Sequence, residues 1–299
     1  MLTAASPAHA PSLAARARGY VALTKPRIIE LLLVTTLPTM VVAQRGVPSG
    51  WLMISTLVGG TLAAGGANAI NMYVDRDIDA LMVRTAKRPL VTGVLTPRAA
   101  LTFAIGLEVF AFAELWTLVN PLSAVLAVSA TLFYVFVYTL WLKRTTTHNI
   151  VIGGAAGAVP VLVGWSAVQN RLTLAPVVLF AIIFVWTPPH FWALAFKYKD
   201  DYTAANVPMM PSVAEFSAVA RQIVFYTVLL WGTSLLFTPV AGMGAIYTVS
   251  ATLLGGLFLF YAVQLLRSGT PAKAMRLFGY SITYVTLLFS AMAIDQLVR

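Results

Sequence analysis

The sequence predicts an all-α, polytopic membrane protein, a bundle of nine transmembrane helices around a central cavity that opens to the cytoplasmic side. Three observations carry that expectation. Of 299 residues, 59% are hydrophobic and 10% charged, and the mean hydropathy is +0.84, whereas a soluble domain is about a quarter charged. Apolar runs of the roughly 20 residues a spanning helix needs recur along the whole chain. The basic residues gather in alternate gaps between those runs.

The runs occupy residues 28–45, 51–73, 99–118, 121–141, 149–168, 173–195, 219–238, 243–265 and 277–297. Ahead of them, residues 1–19 are small, Ala-rich and free of acids, with Arg16 and Arg18, and read as a flexible basic arm; residues 20–299 read as one transmembrane domain. The turns after the first, third, fifth and seventh spans are tight and marked by Pro or Gly, such as Gly46-Val47-Pro48 and Asn120-Pro121. The gaps after the second, fourth, sixth and eighth are longer or more charged. On the N-terminal side lie seventeen of the twenty Lys and Arg residues, and the other side holds only Arg45, Arg171 and Arg299. Cytoplasmic loops carry the basic excess, so the N terminus is expected in the cytoplasm and the C terminus outside. The short arm favours a bacterial inner membrane over a mitochondrial one.

The net charge of +10 therefore reflects topology. Its basic residues sit in short gaps instead of along one helix or arm, which argues against nucleic acid as a partner. The absence of cysteine removes disulfides, thiolate catalysis and Cys-ligated metal.

Carboxylates are costly at a membrane boundary, so their positions are informative. Five of the ten acids fall in two clusters. In the first, a helix continued through Asp79 places Asp75, Asp79 and Asn68 at about 40°, 80° and 60° from Asn71, at about 100° per residue. Asp77 points elsewhere and is expected to pair with a basic neighbour. Stacked carboxylate and amide oxygens without His or Cys suit a hard cation such as Mg²⁺, which shares its coordination with substrate phosphates. Arg84, Lys87 and Arg88 follow at once and supply donors for a diphosphate. The second cluster ends the sixth span, where His190, Lys197 and Asp201 share a face in a helix taken to break at Pro188-Pro189. Lys143 and Arg144 end the fourth span on the same side. An even number of spans separates the clusters, so they can face one another across one cavity. His190, flanked by Phe191 and Trp192, reads equally as a packing residue or as a functional intramembrane group.

Asn71-x-x-x-Asp75-x-x-x-Asp79 at the end of a second span resembles the first aspartate motif of the UbiA-type intramembrane prenyltransferase superfamily. Lys25-Pro26-Arg27, Arg84-Thr85-x-x-Arg88-Pro89-Leu90, Tyr138-Thr139, Lys143-Arg144-Thr145, Trp186-Thr187-Pro188-Pro189-His190-Phe191-Trp192 and Val207-Pro208-Met209-Met210-Pro211 narrow the likeness to the branch that farnesylates protohaem. Two departures stand out. Lys197-x-x-x-Asp201 occupies the place of a second aspartate-rich motif, and Tyr138 and Lys143 are five apart where quinone-forming members place the pair four apart.

The resemblance implies transfer of a farnesyl group from farnesyl diphosphate to a vinyl group of protohaem IX (haem b, a substrate and not a cofactor), with water added to give haem O. It implies Mg²⁺ on Asn71, Asp75 and Asp79. Asn68, Arg84, Arg88, Tyr138, Lys143, Arg144, Lys197 and Asp201 would bind diphosphate or haem, and His190 would contact haem or handle a proton. The lipid bilayer is the solvent, and a haem A synthase is an expected recipient of the product. Two alternatives stay open at the level of sequence: a prenyltransferase acting on an aromatic quinone precursor, and a haem-binding transporter or assembly factor.

Overall fold

A computed structural model describes residues 11–299, the side chains of 27–33 apart. Among those residues the chain is helix and turn, with no strand. In a bilayer every backbone N–H and C=O must be paired internally, and a helix does this within one segment.

Helix α1 (Leu13–Thr24) starts at Ser12, whose side chain accepts the Ala15 N–H, and buries Gly19 and Leu23. Residues 13–19 of the expected flexible arm are therefore helical, and residues 1–10 lie outside the described residues. Then follow α2 (Pro26–Gln44), α3 (Gly50–Val74) and the short α4 (Arg76–Asp79). Helix α5 (Pro97–Glu114) ends in a π turn, and α6 (Pro121–Leu132) runs on as a π-helix over Phe133–Leu142 into α7 (Lys143–Thr145). The second half comprises α8 (Asn149–Gln169), α9 (Leu174–Lys197), α10 (Lys199–Ala204), α11 (Met210–Val213), α12 (Phe216–Ala241), α13 (Ala245–Ser268) and α14 (Pro271–Leu297).

Eight helical stretches among the described residues are long and apolar enough to cross a membrane, and they coincide with the second to ninth expected spans. Helix α2 covers most of the first. The expected break at Pro188-Pro189 does not occur: α9 passes through both prolines to Lys197 and stops at Tyr198. Proline is tolerated in spanning helices because neighbours re-satisfy the freed backbone groups.

Helix α3 packs on α5; α8 packs on α2, α6 and α9; α9 packs on α12 and α14; and α14 returns to α2. Contacts of α3 with α2, α6 and α8 close this ring around a cavity. Helix α3 approaches its neighbours closely because Gly59, Ala63, Gly65, Gly66 and Ala69 form its buried stripe. Large apolar side chains such as Phe110, Phe136 and Leu253 point outward, as lipid contact requires. Two of the scattered acids have structural partners. Asp295 accepts the Gly244 and Tyr247 N–H groups at 2.6 and 3.2 Å and so caps α13, and Glu108 accepts from Thr131 at 3.2 Å.

Candidate active site

Helix α3 ends just before Asp75, yet the Asp75 N–H reaches the Asn71 carbonyl at 2.9 Å and the Asp79 N–H reaches the Asp75 carbonyl at 2.8 Å. The four-residue step survives the change of helix, so Asn68, Asn71, Asp75 and Asp79 stay together and all are buried. Asp77 turns outward and accepts two hydrogen bonds from Arg144, at 2.7 and 2.8 Å. That guanidinium holds the Asp77 carboxyl down at about 2.

Each buried acid meets a cation. Lys143 Nζ pairs with Asp75 Oδ2 and Arg88 with Asp79 Oδ2. Lys25 Nζ donates to Asn71 Oδ1 at 2.9 Å, and Asn71 Nδ2 donates to Asp75 Oδ2 at 2.7 Å and Thr139 Oγ1 at 3.2 Å. Asn71 is thus a brace for Asp75, with its own oxygen taken by Lys25. Asn68 ties α3 to the end of α1 by donating to the Thr24 carbonyl at 3.2 Å. Burial, with Arg88 and Lys143 adding to it, lowers Lys25 to about 7.

Two oxygens are left over: Asp75 Oδ1 and Asp79 Oδ1 are buried without a hydrogen-bond partner, although Arg144 lies 3.6 Å from Asp75 Oδ1. Unpaired buried carboxylate oxygens are expensive. Oxygen-only donors on a carboxylate pair fit Mg²⁺, which typically takes one or two carboxylates and completes its shell with water and phosphate. Among the described residues no three His, Cys, Asp or Glu side chains converge into a fuller cation site.

The cavity beside this network has a volume of 430 Å³. Lys25, Asn68, Asn71, Asp79, Arg84, Arg88 and Lys143 form its polar end. Along α3 its wall runs back from Asn71 to Thr56, a distance of about 22 Å at 1.5 Å per residue. The remaining wall is largely apolar, with Ala63, Ala127, Val163, Trp186 and Phe191.

Tyr138 lines the cavity and stacks on Tyr134 at 5.4 Å. Its five-residue separation from Lys143 matches the local geometry, because the Lys143 N–H bonds the Tyr138 carbonyl across one π turn. Both side chains therefore line one wall. Gly153 of α8 makes room: a Cβ there would run into the Tyr138 ring.

Four expected site residues lie elsewhere. Arg144 braces α4 through Asp77 and does not line the cavity. Lys197 is exposed, with its Nζ 5.6 Å from the Tyr198 ring centroid. Asp201 accepts the backbone N–H groups of Val83 and Arg84 at 3.3 and 3.1 Å, so it holds the loop that carries Arg84. The shared face expected for His190, Lys197 and Asp201 is lost because the helix stops at Tyr198 and restarts as α10. His190 stands behind the wall, stacked between Trp186 at 4.2 Å and Phe278 at 4.7 Å. Its Nδ1 meets Ser281 Oγ at 2.6 Å, and that hydroxyl donates to the Phe278 carbonyl.

The UbiA prenyltransferase family matches residues 32–290. This chain belongs to that family. Among curated proteins, it is 53% identical to the protoheme IX farnesyltransferase of Streptomyces avermitilis, with 100% of both chains covered. It is 54% identical to the protoheme IX farnesyltransferase of Clavibacter michiganensis, covering 95% of this chain and 94% of the other. Among solved structures, its fold is similar to a digeranylgeranylglyceryl phosphate synthase, with a TM-score of 0.78 at 16% identity, covering 95% of this chain and 99% of that one. A UbiA homologue from Archaeoglobus fulgidus bound to GPP and Mg²⁺ gives a TM-score of 0.66 at 15% identity, covering 92% and 99%.

Within this family fold, residue-by-residue chemistry from sequence overlooked Lys25, Tyr134 and Tyr202, all of which line the cavity. Lys25 had a signal in the Lys25-Pro26 pair that opens α2. The tyrosines had none, since neither falls in the charged face that the spacing of Asn68, Asn71, Asp75 and Asp79 picks out.

Proposed function

We propose that this UbiA-family member transfers the farnesyl group of farnesyl diphosphate to a vinyl group of protohaem IX, with addition of water, giving haem O and diphosphate. The observation that carries the chemistry is the pair of buried oxygens on Asp75 and Asp79 that lack a hydrogen bond, beside Lys25, Arg84, Arg88 and Lys143 at one end of an otherwise apolar cavity. The choice of haem as acceptor rests on relatives more than 50% identical along the chain that bear one name.

Arg84, Arg88, Lys25 and Lys143 bind the diphosphate and stabilise the charge that grows on it as the allylic C–O bond ionises. Asp75 and Asp79, with Asn71 as brace, hold Mg²⁺, which when bound neutralises leaving-group charge as a Lewis acid. The apolar wall houses the farnesyl chain and keeps water from the allylic cation until the vinyl carbon attacks. Trp186, Phe191 and Tyr138 offer flat faces to the porphyrin. His190 acts from behind, orienting Trp186. The chain sits in a bacterial inner membrane with this end cytoplasmic, and hands its product to a haem A synthase.

The test is a mass spectrum of haems extracted from cells expressing the wild type, Asp75→Asn or Asp79→Asn. Farnesylated haem is expected from the wild type alone. Equal amounts from all three would remove the assigned site, and its absence throughout with a prenylated quinone precursor present would replace the acceptor.

A further inference from the structure

We propose that the end of the bundle opposite the active site carries a second binding pocket, built for a phosphate group. A cavity of 360 Å³ opens where the C-terminal ends of α2, α8 and α12 meet the N-terminus of α9. Arg45, Arg171, Gln169, Gln296, Thr173 and Trp165 supply its polar and aromatic wall, and among the described residues no acid lines it.

The charge partition makes this location unexpected. Only Arg45, Arg171 and Arg299 lie on the sparsely charged side of the protein, and two of the three line this one pocket. Arg299 is occupied nearby with the Gly242 carbonyl and Asp295. Arg45 and Arg171 form neither an ion pair nor a side-chain hydrogen bond among the described residues. Two uncommitted guanidinium groups at one cavity present planar donor forks suited to a phosphate.

A further set of donors at the same place is uncommitted. Trp165 is 8% exposed, and its buried Nε1 has no hydrogen-bond partner. Thr173, the N-cap of α9, makes no side-chain cap hydrogen bond, which leaves first-turn N–H groups of a 24-residue helix for an external acceptor. Gln169 is already fixed by donating to the Ala43 carbonyl at 2.5 Å.

The backbone points the same way. Among the described residues, four that are not glycine have positive φ: Lys25, Arg45, Asn170 and Asn206. Asparagine tolerates this region, whereas other side chains crowd their own carbonyl there. The two basic ones line the two cavities, Lys25 the active site and Arg45 this pocket. Arg45 is the left-handed C-cap of α2, a place where glycine would relieve the crowding, and the chain has an arginine there.

The phosphate can come from an anionic lipid headgroup or from free phosphate. Delipidated wild type, Arg45→Gly and the double variant R45Q/R171Q are compared by native mass spectrometry after addition of phosphatidylglycerol or phosphatidylcholine, and by calorimetry with inorganic phosphate. The expected result is at least tenfold more retained phosphatidylglycerol in the wild type than in either variant, with phosphatidylcholine retained equally by all three. Wild-type-selective binding of inorganic phosphate without lipid selectivity assigns the same pocket to the free ion. Equal binding of both probes by all three proteins overturns the proposal. Arg45→Gly suits the backbone and guards against a folding failure. Activity of both variants is expected at the wild-type level, since neither residue touches the reaction cavity.

Discussion

The backbone N–H of Lys143 bonds the carbonyl of Tyr138, five residues back instead of four. The π turn absorbs one extra residue and lets Tyr138 reach the cavity while Lys143 reaches Asp75. π-bulges of this kind are frequent at functional sites.

Deletion of Leu140, which faces outward from this π segment, should convert it to regular α-helix and keep Tyr138 and the lysine on one face. Farnesyl transfer within about threefold of wild type is expected, a barrier change below about 1 kcal/mol. An inactive but folded deletion variant would show that the π register does more than absorb a residue.

Lys143→Met removes the nearest cation from the buried carboxylate of Asp75 and leaves it Asn71 and the more distant Arg144. Removing one partner of a buried pair costs about 3–5 kcal/mol, so the thermal midpoint in detergent should fall sharply. Combining it with Asp75→Asn should recover most of the stability but none of the activity. A double variant as unstable as the single one would mean that the pair is not the source of the loss.

Gly153→Ala drives the Tyr138 ring from its place beside α8. A small misplacement at a reacting centre can cost about 10- to 100-fold, and steady-state rates should show a loss of that order. Gly106→Ala, whose new Cβ meets nothing within 4 Å, should leave the rate unchanged.

Asp201→Ala releases the two N–H groups that fix the Arg84 loop. Losing charge-assisted hydrogen bonds worth about 1.5–3 kcal/mol each should raise the KM for farnesyl diphosphate at least tenfold, with kcat less affected. Lys197→Ala should be silent, because its ammonium is exposed and lies outside the cavity. The reverse ranking would restore Lys197 as a substrate ligand.

Helical spans, the side on which charge gathers and the Asn68–Asn71–Asp75–Asp79 face were legible from sequence because each follows from a local period. Apolar length sets a span, and 3.6 residues per turn set a face. The same arithmetic correctly turned Asp77 away from the others. It misplaced Lys197 and Asp201 because it assumed an unbroken helix past Tyr198. It also read Pro188-Pro189 as a break, where packing around α9 keeps the helix intact.

Sequence alone thus determined that this is a multi-pass helical membrane protein with an acidic motif beside basic residues at one end. Only tertiary structure decided which cation meets which carboxylate. It seated Lys25 on Asn71 and Lys143 on Asp75, put His190 behind the wall, made Asp201 a loop anchor and gathered Arg45 with Arg171. Those partnerships join residues dozens of positions apart, and they depend on how helices pack around a cavity, which no local periodicity encodes.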